Sequence, residues 1–140
     1  MLKFDELEIG DEIAVDIKRE ITQDRIDKWA EVSVDFNPLH VDKEFGKKSR
    51  FGSTISHGTL TITYLMEMLT SWMGKGWLYG GRLLNVKFIA PVLPGDTVHP
   101  AGKILNKRIE KDRKVIECEL WLENQDGKKV ITSKAIGEAE

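Results

Sequence analysis

His57-Gly58-Thr59-Leu60-Thr61-Ile62-Thr63-Tyr64-Leu65-Met66-Glu67-Met68-Leu69-Thr70-Ser71-Trp72-Met73 is the longest apolar stretch with helical spacing in the chain. Leu60, Tyr64, Met68 and Trp72 recur every four residues and form one stripe, with Leu65 and Leu69 beside it. A helix apolar over so much of its circumference is expected to be buried rather than to lie on a surface. Gly74 and Gly76 are expected to end it.

The chain beyond that helix reads as strands. Leu84, Val86 and Phe88 alternate with Asn85 and Lys87, and the turn Pro91-Val92-Leu93-Pro94-Gly95-Asp96 leads into a strand over 97–109. Ile116, Cys118, Leu120 and Leu122 then alternate with Glu117, Glu119, Trp121 and Glu123. Asp126-Gly127 predicts a hairpin into a last strand over 130–139. One buried helix and an antiparallel meander argue an α+β domain, the helix wrapped by a curved sheet with one apolar and one wet face.

Upstream, alternation over 13–21 predicts a strand. Thr22 is placed to cap a helix over about 22–33 carrying Ile26, Trp29, Ala30 and Ser33. The segment 35–40 is expected to be a loop, because Pro38 disfavours helix at Asn37 and has no N–H. Asp42 can cap a short helix that Gly46 weakens.

The 140 residues fit one domain, 1–140, large enough for a core without staples. A net charge of −2 gives no general attraction to nucleic acid or an anionic membrane. Cys118 is the sole cysteine, which excludes an intrachain disulfide and a cysteine metal cluster and fits a reducing, cytoplasmic compartment. The acidic start Met1–Glu6 does not read as a signal peptide, and no apolar run reaches the roughly 18 residues of a membrane span. Phosphate-binding glycine loops, zinc spacings and a Gly-x-Ser-x-Gly elbow are missing from the sequence.

Chemistry concentrates in two places. Asp35-Phe36-Asn37-Pro38-Leu39-His40 sets a carboxylate and an imidazole around a rigid turn, a pair able to move a proton. Asn-Pro also makes turns with no further role, and a lone His is most often structural. Ser56-His57-Gly58 opens the long helix, where a free N–H backed by the macrodipole can stabilise charge on a carbonyl oxygen. Gly58 equally suits close packing alone, and His57 either a structural role or contact with substrate. Leu65, with Met68, Leu69 and Trp72, reads as core, part of which can line an acyl pocket. Lys43, Lys47, Lys48 and Arg50 form a basic cluster, either a solvated face or a contact for phosphates of a carrier. His99 has no evident partner in the sequence.

Ser33–His40, Ser56–Leu60, Val86-Lys87-Phe88 and Pro91–Asp96 together resemble, in order and over nearly the whole chain, the MaoC-like family that includes the (R)-specific enoyl-CoA hydratases. The resemblance implies a hot-dog fold, a homodimer with sites between subunits, and no metal or redox cofactor. Coenzyme A or acyl carrier protein would carry the substrate. It implies that Asp35 and His40 form the catalytic pair, that the Gly58 N–H contributes to an oxyanion hole, and that Asn37 supports the catalytic loop. Ser56, His57 and Leu65 are the further candidates for contact with substrate. Val34 stands where the family usually has Gly, and a β-branched residue resists positive φ. The activity implied is hydration of trans-2-enoyl thioesters or its reverse. A hot-dog thioesterase and a non-catalytic thioester-binding subunit are the alternatives.

Overall fold

The computed structural model describes residues 2–140. Its helices are α1 (Gln23–Ser33), α2 (Pro38–Val41), α3 (Lys43–Lys48), α4 (Gly58–Met73) and α5 (Lys75–Leu78). Its strands are β1 (Arg19–Glu20), β2 (Arg82–Phe88), β3 (Thr97–Glu110), β4 (Arg113–Glu123) and β5 (Lys129–Glu138). They form one five-stranded sheet in the order β1-β3-β4-β5-β2, each pairing antiparallel. The sheet lies against α4, which contacts β3, β4 and β5. This is the α+β architecture expected from the sequence.

The central helix follows its apolar pattern closely. Leu65, Met68 and Leu69 are fully buried, and Leu60, Tyr64 and Met73 nearly so. Trp72 is only partly buried, at the edge of the stripe. Across from them, Ile116, Cys118, Leu120 and Leu122 of β4 are all at 0% exposure. Cutting one such side chain to Ala costs about 2–5 kcal/mol, a large share of the roughly 5–15 kcal/mol that holds a domain together.

Five local expectations need correction, the last of them in β2. The predicted strand over 13–21 shrinks to the two residues of β1, with one isolated bridge just ahead of that span, Glu12 to Lys103. Ile13, Ile17 and Ile21 are nonetheless buried, so the alternation reported burial without a continuous ladder. The stretch Pro38–Val41, expected as loop, is a short helix: Pro38 occupies its first turn, where the missing N–H costs nothing, and Asn37 Oδ1 accepts from the Leu39 N–H at 3.0 Å. Gly46 does not merely weaken α3. A Cβ there would stand 2.3 Å from the Thr54 nitrogen, so glycine lets α3 press against the backbone leading into α4. Gly76 lies inside α5, where a Cβ would meet the Glu138 carbonyl oxygen at 1.8 Å, so only Gly74 ends the central helix.

In β2 the expected inward face, Leu84, Val86 and Phe88, is split by a bulge between Leu84 and Lys87, with Asn85 at φ 53°. Leu83 and Val86 face the core, while Leu84 and Phe88 are exposed. The bulge thereby delivers Phe88 to a cavity at the start of α4.

Candidate active site

The loop carrying Asp35 begins where α1 ends. Val34 caps that helix in the left-handed conformation, φ 57° and ψ 32°, and the Asp35 N–H reaches back to the Ala30 carbonyl at 3.1 Å. The chain reverses there and leaves Asp35 exposed. The Asn37 N–H donates to Asp35 Oδ1 at 3.2 Å, an Asx-type turn that orients the carboxylate. Asn37, a candidate for contact with substrate, thus acts inside the turn and does not line a cavity. α2 then carries His40.

His40 Nδ1 lies 2.8 Å from the Ile55 carbonyl oxygen. A carbonyl can only accept, so Nδ1 carries the proton and Nε2 of the neutral ring holds the free lone pair. The same segment is tied down by the Ile55 N–H, which donates to the Leu39 carbonyl at 3.2 Å. Gln23 of α1 adds a clamp: its Nε2 donates to the His40 carbonyl at 2.8 Å and its Oε1 accepts from Thr54 Oγ1 at 2.7 Å. Nothing in the sequence singles out Gln23 beyond its place in the first turn of a helix.

His57 caps α4 without a side-chain capping bond and is 1% exposed. Its Nε2 donates to the Asp35 backbone carbonyl at 2.9 Å. Its ring stacks on that of His40, centroids 3.8 Å apart and planes 27° from parallel. Among the described residues, His57 Nδ1 is the buried side-chain polar atom without a hydrogen-bond partner. Leaving such an atom unpaired costs about 1–3 kcal/mol. Nitrogen or oxygen atoms of Asp35, His40 and His57 lie within 4.8 Å of one another. Two nearly parallel rings at this separation do not aim their in-plane lone pairs at one ion about 2.0–2.1 Å from each, so the cluster is a poor metal site.

Beside the cluster a cavity of about 480 Å³ is walled by His40, Ser56, Gly58 and Thr61 on the polar side and by residues such as Ile55 and Phe88 on the apolar side. Gly58 is the first residue of α4, and its N–H has no acceptor among the described residues. It is the kind of free donor that stabilises an oxyanion. A larger groove, about 770 Å³, lies at the far end of α4 around Trp72 and Gly74 and contains neither imidazole. The volume next to the acid/base cluster is therefore the better candidate despite its smaller size.

Of the residues singled out in the sequence, His40, Gly58 and Ser56 line the cavity, and Asp35 stands beside it, a carboxylate oxygen within 4.8 Å of a ring nitrogen of His40. Leu65 and His57 do not line the cavity. Leu65 is fully buried on the core side of α4, and His57 is turned inward, behind the wall its neighbours form. Arg50 does reach the rim, its guanidinium 4.8 Å from the Phe51 ring centroid, whereas Lys47 pairs with Glu44 at 2.8 Å. His99, without an evident partner in the sequence, donates through Nδ1 to the Ile17 carbonyl at 2.7 Å. Phe88 and Thr61 join the site without a signal in the sequence. Phe88 arrives through the β2 bulge, and Thr61 is, by its spacing, one more polar position on a buried helix.

The family model described as MaoC like domain matches residues 5–125. The chain belongs to this family. This MaoC-like domain is 32% identical over 119 residues to a 3-hydroxybutyryl-CoA dehydratase of Methylorubrum extorquens, covering 84% of this chain and 73% of that protein. It is 31% identical over 109 residues to an (R)-specific enoyl-CoA hydratase of Aeromonas caviae, covering 77% and 78%. The crystal structure of a MaoC-like dehydratase from Rhodospirillum rubrum matches it with a TM-score of 0.82 at 25% identity, covering 99% of this chain and 97% of that one. The MaoC-like domain accordingly has the hot-dog fold.

Proposed function

We propose that this MaoC-like domain is a hydro-lyase that adds water to trans-2-enoyl thioesters with (R) stereochemistry, or removes it from (3R)-hydroxyacyl thioesters. The observation that carries this reading is the convergence of the Asp35 carboxylate and the His40 imidazole beside a cavity that His40 and Gly58 line. In hydration, Asp35 and His40 hold a water and take one of its protons as its oxygen bonds to C3. One of the two returns a proton to C2, so that H and OH add across the double bond. Between these events negative charge gathers on the thioester oxygen, where the Gly58 N–H meets it. The reaction is not a redox step, and the residues present supply its acid, base and oxyanion donor, so no metal or redox cofactor is needed. Ser56, on the cavity wall, is the further residue we assign to substrate contact.

The activities in the names of the two relatives support the same reaction class and a coenzyme A or acyl-carrier thioester. We assign the working form as a homodimer. Strand β2 is an edge of the sheet, and Leu84, Phe88 and Ile89 on and beside it are 37%, 56% and 54% exposed. An exposed edge with apolar side chains needs a cover. Strand β4, between β3 and β5, has no free edge to pair with a second copy, and the ring of its Trp121 carries Lys129 Nζ at 4.2 Å. No helix among the described residues is long and apolar enough to cross a membrane, and a cytoplasmic setting fits the reduced, buried Cys118.

The test is a screen of trans-2-enoyl-CoA thioesters of varied chain length, following loss of the conjugated-enoyl absorbance and the stereochemistry at C3 of the product. Release of free thiol without hydration would establish a thioesterase instead. Binding without turnover, unaffected by Asp35→Asn, would establish a binding subunit.

A further inference from the structure

The geometry points to His57 as a positioning residue that sets both members of the Asp35/His40 pair through one side chain, an inference that rests on the proposed hydration of enoyl thioesters. Its Nε2–H donates to the Asp35 backbone carbonyl at 2.9 Å, across 22 residues of sequence. Its ring lies against the His40 ring with centroids 3.8 Å apart. The contacts complement what each partner otherwise has. Asp35 sits on an exposed turn directly after a left-handed residue, where the backbone has only its N–H bond to Ala30 to fix it. His40 is held in its ring plane by the Ile55 carbonyl, which leaves the tilt of that plane free, and the flat face of His57 fixes the tilt.

Packing alone does not account for an imidazole here. The residue is 1% exposed and one of its nitrogens, Nδ1, is buried without a partner. An apolar side chain of similar size would fill the same space without that penalty. What an apolar side chain lacks is the Nε2 donor, and what an aliphatic one lacks is the stacking face. His57 is 1% exposed, and its contacts with the pair run through the Asp35 backbone carbonyl and the face of the His40 ring.

Three variants separate the two contacts. His57→Gln keeps a donor at nearly the reach of Nε2 and loses the face. His57→Phe keeps the face and loses the donor. His57→Leu loses both. We expect kcat for hydration of a trans-2-enoyl-CoA to fall about 10-fold in each of the first two and about 10²-fold in the third, the scale of a misplaced catalytic group. KM should stay within about 2-fold, since no contact with substrate is lost. Thermal unfolding of His57→Phe should stay near the wild-type temperature, because removal of the orphan nitrogen offsets the lost bond to the Asp35 carbonyl. Should His57→Leu fail to fold, the first two variants carry the test.

An unchanged kcat in His57→Gln and His57→Phe would overturn the inference, as would a rise in KM with kcat retained, which would mean direct contact with substrate. The ring resonances of His40, read by NMR in the same variants, give an answer independent of turnover. They should shift in His57→Gln, where the stacked ring is removed, and an unchanged His40 spectrum would count against positioning. A wild-type protein that hydrates no enoyl thioester would instead defeat the functional reading, leaving the NMR result to decide whether His57 sets the pair.

Discussion

The α-carbon of Gly58 faces the ring of Phe88 so closely that a Cβ added there would stand 2.8 Å from Phe88 Cε1. One residue begins the buried helix and the other ends a bulged edge strand, and both line the cavity. The obstruction is a half-exposed side chain rather than backbone, so Gly58→Ala should fold, pushing the ring aside and crowding the space before the Gly58 N–H. We expect kcat to fall about 10²-fold, as when an oxyanion donor is lost, with little change in melting temperature. Phe88→Ala added to Gly58→Ala should recover part of the rate if crowding is the cause. A lowered melting temperature with kcat intact would make Gly58 a packing glycine, and the polarising donor would have to be another group.

Asp35→Asn and His40→Ala should each lower the hydration rate by about 10²–10⁴-fold, the range for acid/base groups. The double variant should lose far less than the product of the two, because the pair acts on one water. Steady-state kinetics on folded protein decide this, and near-wild-type turnover by Asp35→Asn would remove the mechanism.

Val34 carries the strain of the turn that presents Asp35. A β-branched residue at φ 57° is strained, at about 1–2 kcal/mol for an L-residue in the left-handed region. Its side chain is 77% exposed, so little burial is lost on replacement. Val34→Gly should therefore stabilise the protein by about 1 kcal/mol and raise the melting temperature by a few degrees. A melting temperature unchanged or lowered in calorimetry would show that the strain is relieved elsewhere.

Sedimentation at micromolar concentration should give twice the chain mass or a multiple of it. Leu84→Glu, placed on the exposed side of β2, should shift the population toward monomer and lower activity with it. A wild-type monomer with full activity would contradict the assignment of β2 as a subunit interface.

Burial, with a smaller contribution from the Glu117 carboxylate, pushes the Cys118 thiol up to about 12 from an ordinary 9.0. The folded state therefore keeps the proton over a range in which the unfolded chain releases it. The stability associated with this difference is complete below pH 9.0 and is lost as pH rises toward about 12. Urea midpoints measured at about pH 8 and about pH 10.5 should fall more steeply for wild type than for Cys118→Ala, which lacks the titrating group. Equal slopes would mean that Cys118 does not hold its proton in the fold.

The central helix, the hairpin at Asp126-Gly127 and the in/out alternation of β4 were legible because each is a local periodicity or a local turn, written in residues that are neighbours in sequence. The helix cap at Thr22 was legible for the same reason: its hydroxyl accepts from the Arg25 N–H three residues on. The turn between β3 and β4 was not, because Lys111 and Asp112 take positive φ without the glycine that advertises such a turn. Neither was the β2 bulge, since alternation through Leu84, Val86 and Phe88 gives no sign of one residue slipping register.

For the site, the sequence by itself determined which groups carry the chemistry: a carboxylate and an imidazole around Asn37-Pro38, and a glycine N–H at the start of an apolar helix. Side-chain type and spacing are enough for that. Only the tertiary structure decided which of them meet. It turned Leu65 and His57 away from the cavity, brought Phe88 into it and set Gln23 behind His40. Those outcomes depend on the rotation of α4 against the sheet and on contacts between segments 17 to 31 residues apart, such as Gln23 with His40 and with Thr54. No periodicity along the chain encodes such contacts, because they exist only once the sheet and the helix have closed on one another.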